Sequence, residues 1–192
     1  MSKDSDIKEA YKIAISARNF HFDNFSKWMT YYYLAVAAIF VAFYSTKTDC
    51  IDFKAGLPLL GFIVSILWHL SCKGYYFWIK NWTYQIKRFE DNMEDKYKVY
   101  SVFSKHVKEN NNNMFNPVQS ANISTSKLTL ILSLIVCIIW GYLSLYYILI
   151  YFDIIISHCL MIALSVILTY LIIFITGSYL KSDLSEHKIL KP

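Results

Sequence analysis

The long stretches without charge constrain this chain more than any other feature. No Asp, Glu, Lys or Arg occurs from Trp28 to Thr46 or from Ala55 to Cys72, and from Leu128 to Leu180 the only one is Asp153. Those four residue types make up about a quarter of an ordinary soluble domain; here they are 17%, against 56% hydrophobic. A bilayer's hydrocarbon core is about 30 Å thick and is crossed by roughly 20 apolar residues in a helix. The first two uncharged runs each supply one crossing, and the third is long enough for two. Lipid offers the backbone no hydrogen-bond partners, so helices, which pair within their own segment, are the expected form.

The expected fold class is therefore all-α: a polytopic membrane protein with four transmembrane helices and a long amphipathic cytoplasmic helix between spans two and three. It divides into an N-terminal cytoplasmic helix or tail (1–27), spans one and two (28–76), a cytoplasmic amphipathic helix and linker (77–126), spans three and four (127–180) and a C-terminal tail (181–192). The first 27 residues are polar and of mixed charge, with no small-residue cleavage site after a short apolar run, so span one is expected to remain as a signal anchor. Neither end carries a lipidation motif.

Charge sets the expected orientation. Of the 19 Lys and Arg, only Lys47 and Lys54 fall in the loop between spans one and two, and none falls between spans three and four. Positive residues concentrate on the cytoplasmic side of membrane proteins, which places both termini and the central segment in the cytoplasm. The net charge of +5 is then a matter of topology and attraction to anionic lipid, and nucleic acid is not an expected partner. Trp28 and Tyr31 to Tyr33 at the inner end of span one have the composition of an interfacial aromatic belt, as do Tyr146, Tyr147, Tyr151 and Phe152 at the outer hairpin. The turn between spans three and four holds no Gly or Pro and is expected near Asp153 to Ser157, where a carboxylate costs least.

Past Lys73 the apolar period changes. Trp78, Trp82, Ile86, Phe89, Met93, Tyr97, Tyr100, Phe103 and Val107 recur at steps of three and four, the period of an amphipathic helix. Trp78, Trp82, Ile86, Phe89, Met93 and Tyr97 form its packing stripe, and Gly74 stands where the helix either bends away from span two or continues it. Such a stripe needs cover. The N-terminal tail offers a second face, Ile7, Ala10, Tyr11, Ala14, Ala17 and Phe20, with Asp4 or Ser5 as cap. These two helices are expected to pack on each other and on copies of themselves, with adsorption flat on the bilayer as the rival. The helix is expected to end by the Asn110 to Asn113 run, ahead of the Asn116-Pro117 turn signal.

Four patches stand together: "ARNF" (17–20), "LGFIVSILWHL" (60–70), "KGYYFWIKNW" (73–82) followed by "FED" (89–91), and "STSKLTLILSLIVCIIW" (124–140). Their arrangement resembles the RipA family of octameric bacterial membrane proteins from about Ala17 to Trp140. The resemblance implies a protein of the bacterial inner membrane assembled from identical subunits, an octamer, with envelope adaptation and intracellular proliferation as its theme and other envelope proteins as further partners.

No signature of catalysis, cofactor binding or metal binding is present, so no catalytic residue, cofactor or metal is expected. Cys50, Cys72, Cys137 and Cys159 share no short spacing; Cys50 and Cys159 both lie toward the outer face, where a disulfide is chemically allowed. His69 within span two is the candidate pH sensor, since ionisable groups inside spans are functional hypotheses by default. The competing reading has it neutral and bonded to a backbone carbonyl. Ser65, Ser133, Ser144, Ser165 and Gly141 are small residues suited to close helix packing. Glu90, Asp91, Glu94 and Asp95 have the spacing of a solvated helix face and not of a lipid-enzyme site.

The expected function is that of a non-enzymatic homo-oligomeric inner-membrane protein. The alternative is an oligomeric channel or pore, including a phage-defence effector; the sequence shows neither a filter-like loop nor interrupted spans, the features that would favour it.

Overall fold

The computed structural model describes residues 3–46, 51–91, 93 and 123–182. They form four helices: α1 (Lys3–Ser45), α2 (Ile51–Glu90), α3 (Thr125–Tyr151) and α4 (His158–Tyr179). No strand occurs among the described residues. All four helices are long and apolar enough to cross a membrane.

Two of them are far longer than a crossing needs. α1 has 43 residues and α2 has 40, about twice the roughly 20 that span a bilayer. The N-terminal tail and span one are thus a single helix, and so are span two and the segment that follows it. Gly74 does not interrupt α2, although a mid-helix Gly costs about 1 kcal/mol relative to Ala. The stripe residues Trp78, Trp82, Ile86 and Phe89 therefore belong to the span-two helix itself. Tyr97, with the rest of the expected amphipathic helix and linker, lies outside the described residues.

The chain divides into two compact units. The first comprises Met1–Tyr33 and Ser71–Leu132. In it the early turns of α1 pack antiparallel to the late turns of α2, the partners stepping down one helix as they step up the other. Tyr32 Oη lies 3.0 Å from Ser71 Oγ, the Cys72 thiol donates to Met29 Sδ at 3.3 Å, and Phe25 meets Tyr75 edge-on at 5.7 Å. Further along, His21 faces Trp78 and Trp82, and Tyr11 with Ala14 encloses Ile86. The buried face of α1 here is Tyr11, Ala14, Phe25 and Met29. Phe20 does not share it, contrary to the sequence expectation: it is 63% exposed, because one residue of helical rotation gives its place to His21.

The second unit comprises Leu34–Leu70 and Ser133–Pro192. Its core is Phe62, Ile66, Cys137, Trp140 and Ile173, with Phe40, Phe43 and Leu143 packed around it. Hydroxyl side chains share this interior. Ser65, Ser133, Ser144, Ser165 and Thr169 are buried, while Leu160, Ile162, Ile167, Leu171 and Phe174 of α4 are exposed. In lipid, burial of large apolar side chains yields no hydrophobic gain, so small residues that admit close approach are favoured at helix contacts. Three of these buried hydroxyls are paired locally: Ser65 donates to the Phe62 carbonyl, Ser144 to Trp140 and Ser165 to Ile162, at 2.7–2.9 Å. Thr169 Oγ1 is buried without a hydrogen-bond partner among the described residues.

The turn between α3 and α4 lies at 152–157 and needs no glycine. Asp153 takes φ 53°, a left-handed conformation that short polar side chains tolerate. Ile154 N–H bonds the Leu149 carbonyl at 2.9 Å and Asp153 N–H bonds Ile150 at 3.1 Å, the paired bonds of a Schellman helix end. Ser157 then caps α4 by accepting from Leu160 N–H at 3.4 Å. Cys72, Cys137 and Cys159 are free thiols, Cys159 being exposed; Cys50, its candidate disulfide partner, lies outside the described residues.

Candidate functional site

Two constellations concentrate the polar chemistry of the described residues, one in each unit. In the first unit the stripe is half covered by α1 of the same chain. Ile86 is fully buried against Tyr11 and Ala14, with Phe89 and Met93 packed at the margin. Trp78 and Trp82 are partly buried and stack with the His21 ring, at centroid distances of 6.4 and 5.9 Å. The Trp82 indole N–H is buried without a hydrogen-bond partner.

The same helix pair holds a residue that sequence reasoning misplaced. Glu90 is not on a solvated face: it is 2% exposed and accepts a 2.8 Å hydrogen bond from Tyr11 Oη. Its periodicity explains this, since Glu90 is one turn on from Ile86, and the phenol on the facing helix supplies a hydrogen bond that offsets the cost of burial. Asp91 is exposed, and Glu94 and Asp95 lie outside the described residues.

In the second unit His69 is 8% exposed on α2, and its Nδ1 lies 2.9 Å from Ser133 Oγ on α3, a hydroxyl that is itself fully buried. One partner of His69 is thus a side chain from another helix. Nothing in the sequence pairs positions 69 and 133. Ser133→Ala is expected to lower stability by about 0.6–1.7 kcal/mol, the range for interhelical hydrogen bonds in membranes, read as the melting shift of the purified protein. If His69 senses pH, His69→Gln will flatten the pH dependence of growth; an unchanged profile removes the sensing role. His158, at the start of α4, is hydrogen-bonded to Tyr142 Oη at 2.9 Å and stacked on Tyr146, a contact across the hairpin that spacing alone does not announce.

No group of three or more His, Cys, Asp or Glu able to hold a metal occurs among the described residues. A cavity of the second unit, about 400 Å³, is lined by apolar side chains such as Leu59, Phe62, Ile66 and Leu168.

Four apolar helices, with hydroxyls inside and aliphatic side chains outside, define a multi-pass membrane protein. The chain belongs to the octameric membrane protein family (8xMP), whose profile matches residues 8–150. The match takes in α2 whole, nearly all of α1 and all of α3 but its last residue, and α4 lies beyond it. Comparison with curated proteins and with solved structures returns no match. The family's name supports self-association in a membrane.

Proposed function

We propose that this protein is a non-enzymatic scaffold of a bacterial inner membrane, built from eight copies of the chain. Its termini and central segment face the cytoplasm, and it supports envelope adaptation and intracellular proliferation. The observation that carries the reading is the half-covered stripe. Trp78, Trp82, Phe89 and Met93 are each only partly buried by their own α1, and aromatic surface of that kind is what an intersubunit contact uses. The local pairing of Ser65, Ser144 and Ser165 supports a packing role for the intramembrane hydroxyls over the lining of a water path. The family name supplies the count of eight. The positive-inside distribution of Lys and Arg supports the orientation, and the envelope role rests on the sequence resemblance.

One purified preparation tests the scaffold against the channel. Native mass measurement is expected to give eight times the 22.5 kDa subunit, and the reconstituted protein is expected to be silent in an ion-flux assay. Sustained flux would favour the pore. Trp82→Glu together with Phe89→Glu should reduce the assembly to smaller species; an unaltered mass would remove the stripe from the subunit contact.

A further inference from the structure

We propose that the face of α2 from Phe77 to Lys87 is a docking site for an acidic phospholipid of the bilayer that the chain itself crosses. This face bounds an open groove of about 560 Å³, lined among the described residues by Phe77, Ile79, Lys80, Asn81, Tyr84 and Lys87 and a threonine between them. The lining is of two kinds. Phe77, 52% exposed, offers apolar surface, and Ile79, itself buried, backs the groove. The Lys80 and Lys87 ammonium groups, the Asn81 amide and the Tyr84 hydroxyl offer hydrogen-bond donors. No carboxylate is among the described lining residues, and neither lysine is ion-paired with a described Asp or Glu. An apolar wall beside unneutralised donors complements a molecule with hydrocarbon at one end and net negative charge at the other.

Depth in the membrane narrows the occupant to lipid. The uncharged run of span two ends at Cys72, and Lys73 is the first charge after it. Lys80 is seven residues further on, a rise of about 10 Å, and the headgroup layer occupies the first ~5–8 Å beyond the hydrocarbon. Helical side chains lean toward their own helix N-terminus, and for this part of α2 that direction leads back to the bilayer. Lys80 follows the rule: its Nζ lies 4.9 Å from the centre of the Tyr76 ring, one turn nearer the membrane. The ammonium therefore sits at the level of lipid phosphates. Lys87 is two turns on, on the same face, and adds positive field above it. A zwitterionic headgroup would cancel most of that attraction; an acidic one keeps it.

The test is lipid retention by the intact assembly in detergent, read by native mass spectrometry. Phosphatidylglycerol, phosphatidylcholine with identical acyl chains, and inorganic phosphate are each titrated in. Phosphatidylglycerol is expected to be retained over phosphatidylcholine, with each lysine contributing roughly fivefold to the preference. Lys80→Gln with Lys87→Gln should abolish the preference while the helices stay folded by circular dichroism, and Lys80→Arg with Lys87→Arg should keep it. Equal retention of the two lipids, or a preference that survives the glutamine pair, would overturn the proposal. So would displacement of the lipid by inorganic phosphate alone. If the glutamine pair lowers the subunit count and leaves lipid retention intact, the groove seats a second copy of the chain and the proposal fails.

Discussion

Gly61→Leu is expected to yield protein that does not fold into its second unit. A Cβ at Gly61 would lie 2.6–2.7 Å from atoms of the Trp140 ring, far inside van der Waals contact. That ring has nowhere to go: it is fully buried, with Phe40 at a centroid distance of 4.5 Å and Phe43 at 6.0 Å. Overpacking a filled core costs about 1–3 kcal/mol even for small additions, so Gly61→Ala should already destabilise by that amount, and the larger side chain should prevent packing. Gly74→Ala is the control of opposite sign. Nothing lies within 4 Å of a Cβ there, so the gain in helix propensity, about 0.5–1 kcal/mol, should appear as a raised melting temperature. The buried thiols provide the readout. Cys137 belongs to the second unit and Cys72 to the first, and a thiol-reactive dye reports each as it opens. If Gly61→Ala melts like the parent, the close approach of α2 to Trp140 is not what holds this core.

Tyr11→Phe is expected to act on the other unit. It removes the phenolic donor from the Glu90 carboxylate while leaving the ring's contacts with Ile86 and Ala14 in place. A hydrogen bond to a charged group contributes about 1.5–3 kcal/mol, and this one is almost wholly out of water. The expected signature is selective: Cys72 becomes reactive at lower temperature, and Cys137 does so at the parental temperature. Glu90→Gln should cost less than Tyr11→Phe, since the amide oxygen still accepts from Tyr11 and no charge is buried. Coincident loss of protection at both cysteines would show that the α1–α2 packing does not open as a separate unit.

Much of the fold was legible because membrane helices announce themselves by what they lack. The uncharged runs located four crossings, and helix followed from the need to pair every backbone group. The three-and-four spacing of Trp78, Trp82, Ile86 and Phe89 was equally readable, since the helical period is a local property. The turn after Tyr151 was placed by one carboxylate, though its Schellman geometry, built on a left-handed Asp153, was not. Long-range pairings were out of reach. No local signal joins Tyr11 to Glu90, His69 to Ser133, or His21 to the two tryptophans, and Glu90 looked solvated because its neighbours are acidic.

The sequence by itself determined where this protein meets lipid and which way its helices repeat, because charge, length and period are properties of neighbouring residues. Only the tertiary structure decided which faces meet: that α1 covers the stripe, that a carboxylate is buried under a phenol, and that Trp140 fills the place a side chain at residue 61 would take. Those contacts join residues tens of positions apart, and the energy that selects among them exists only once helices are side by side.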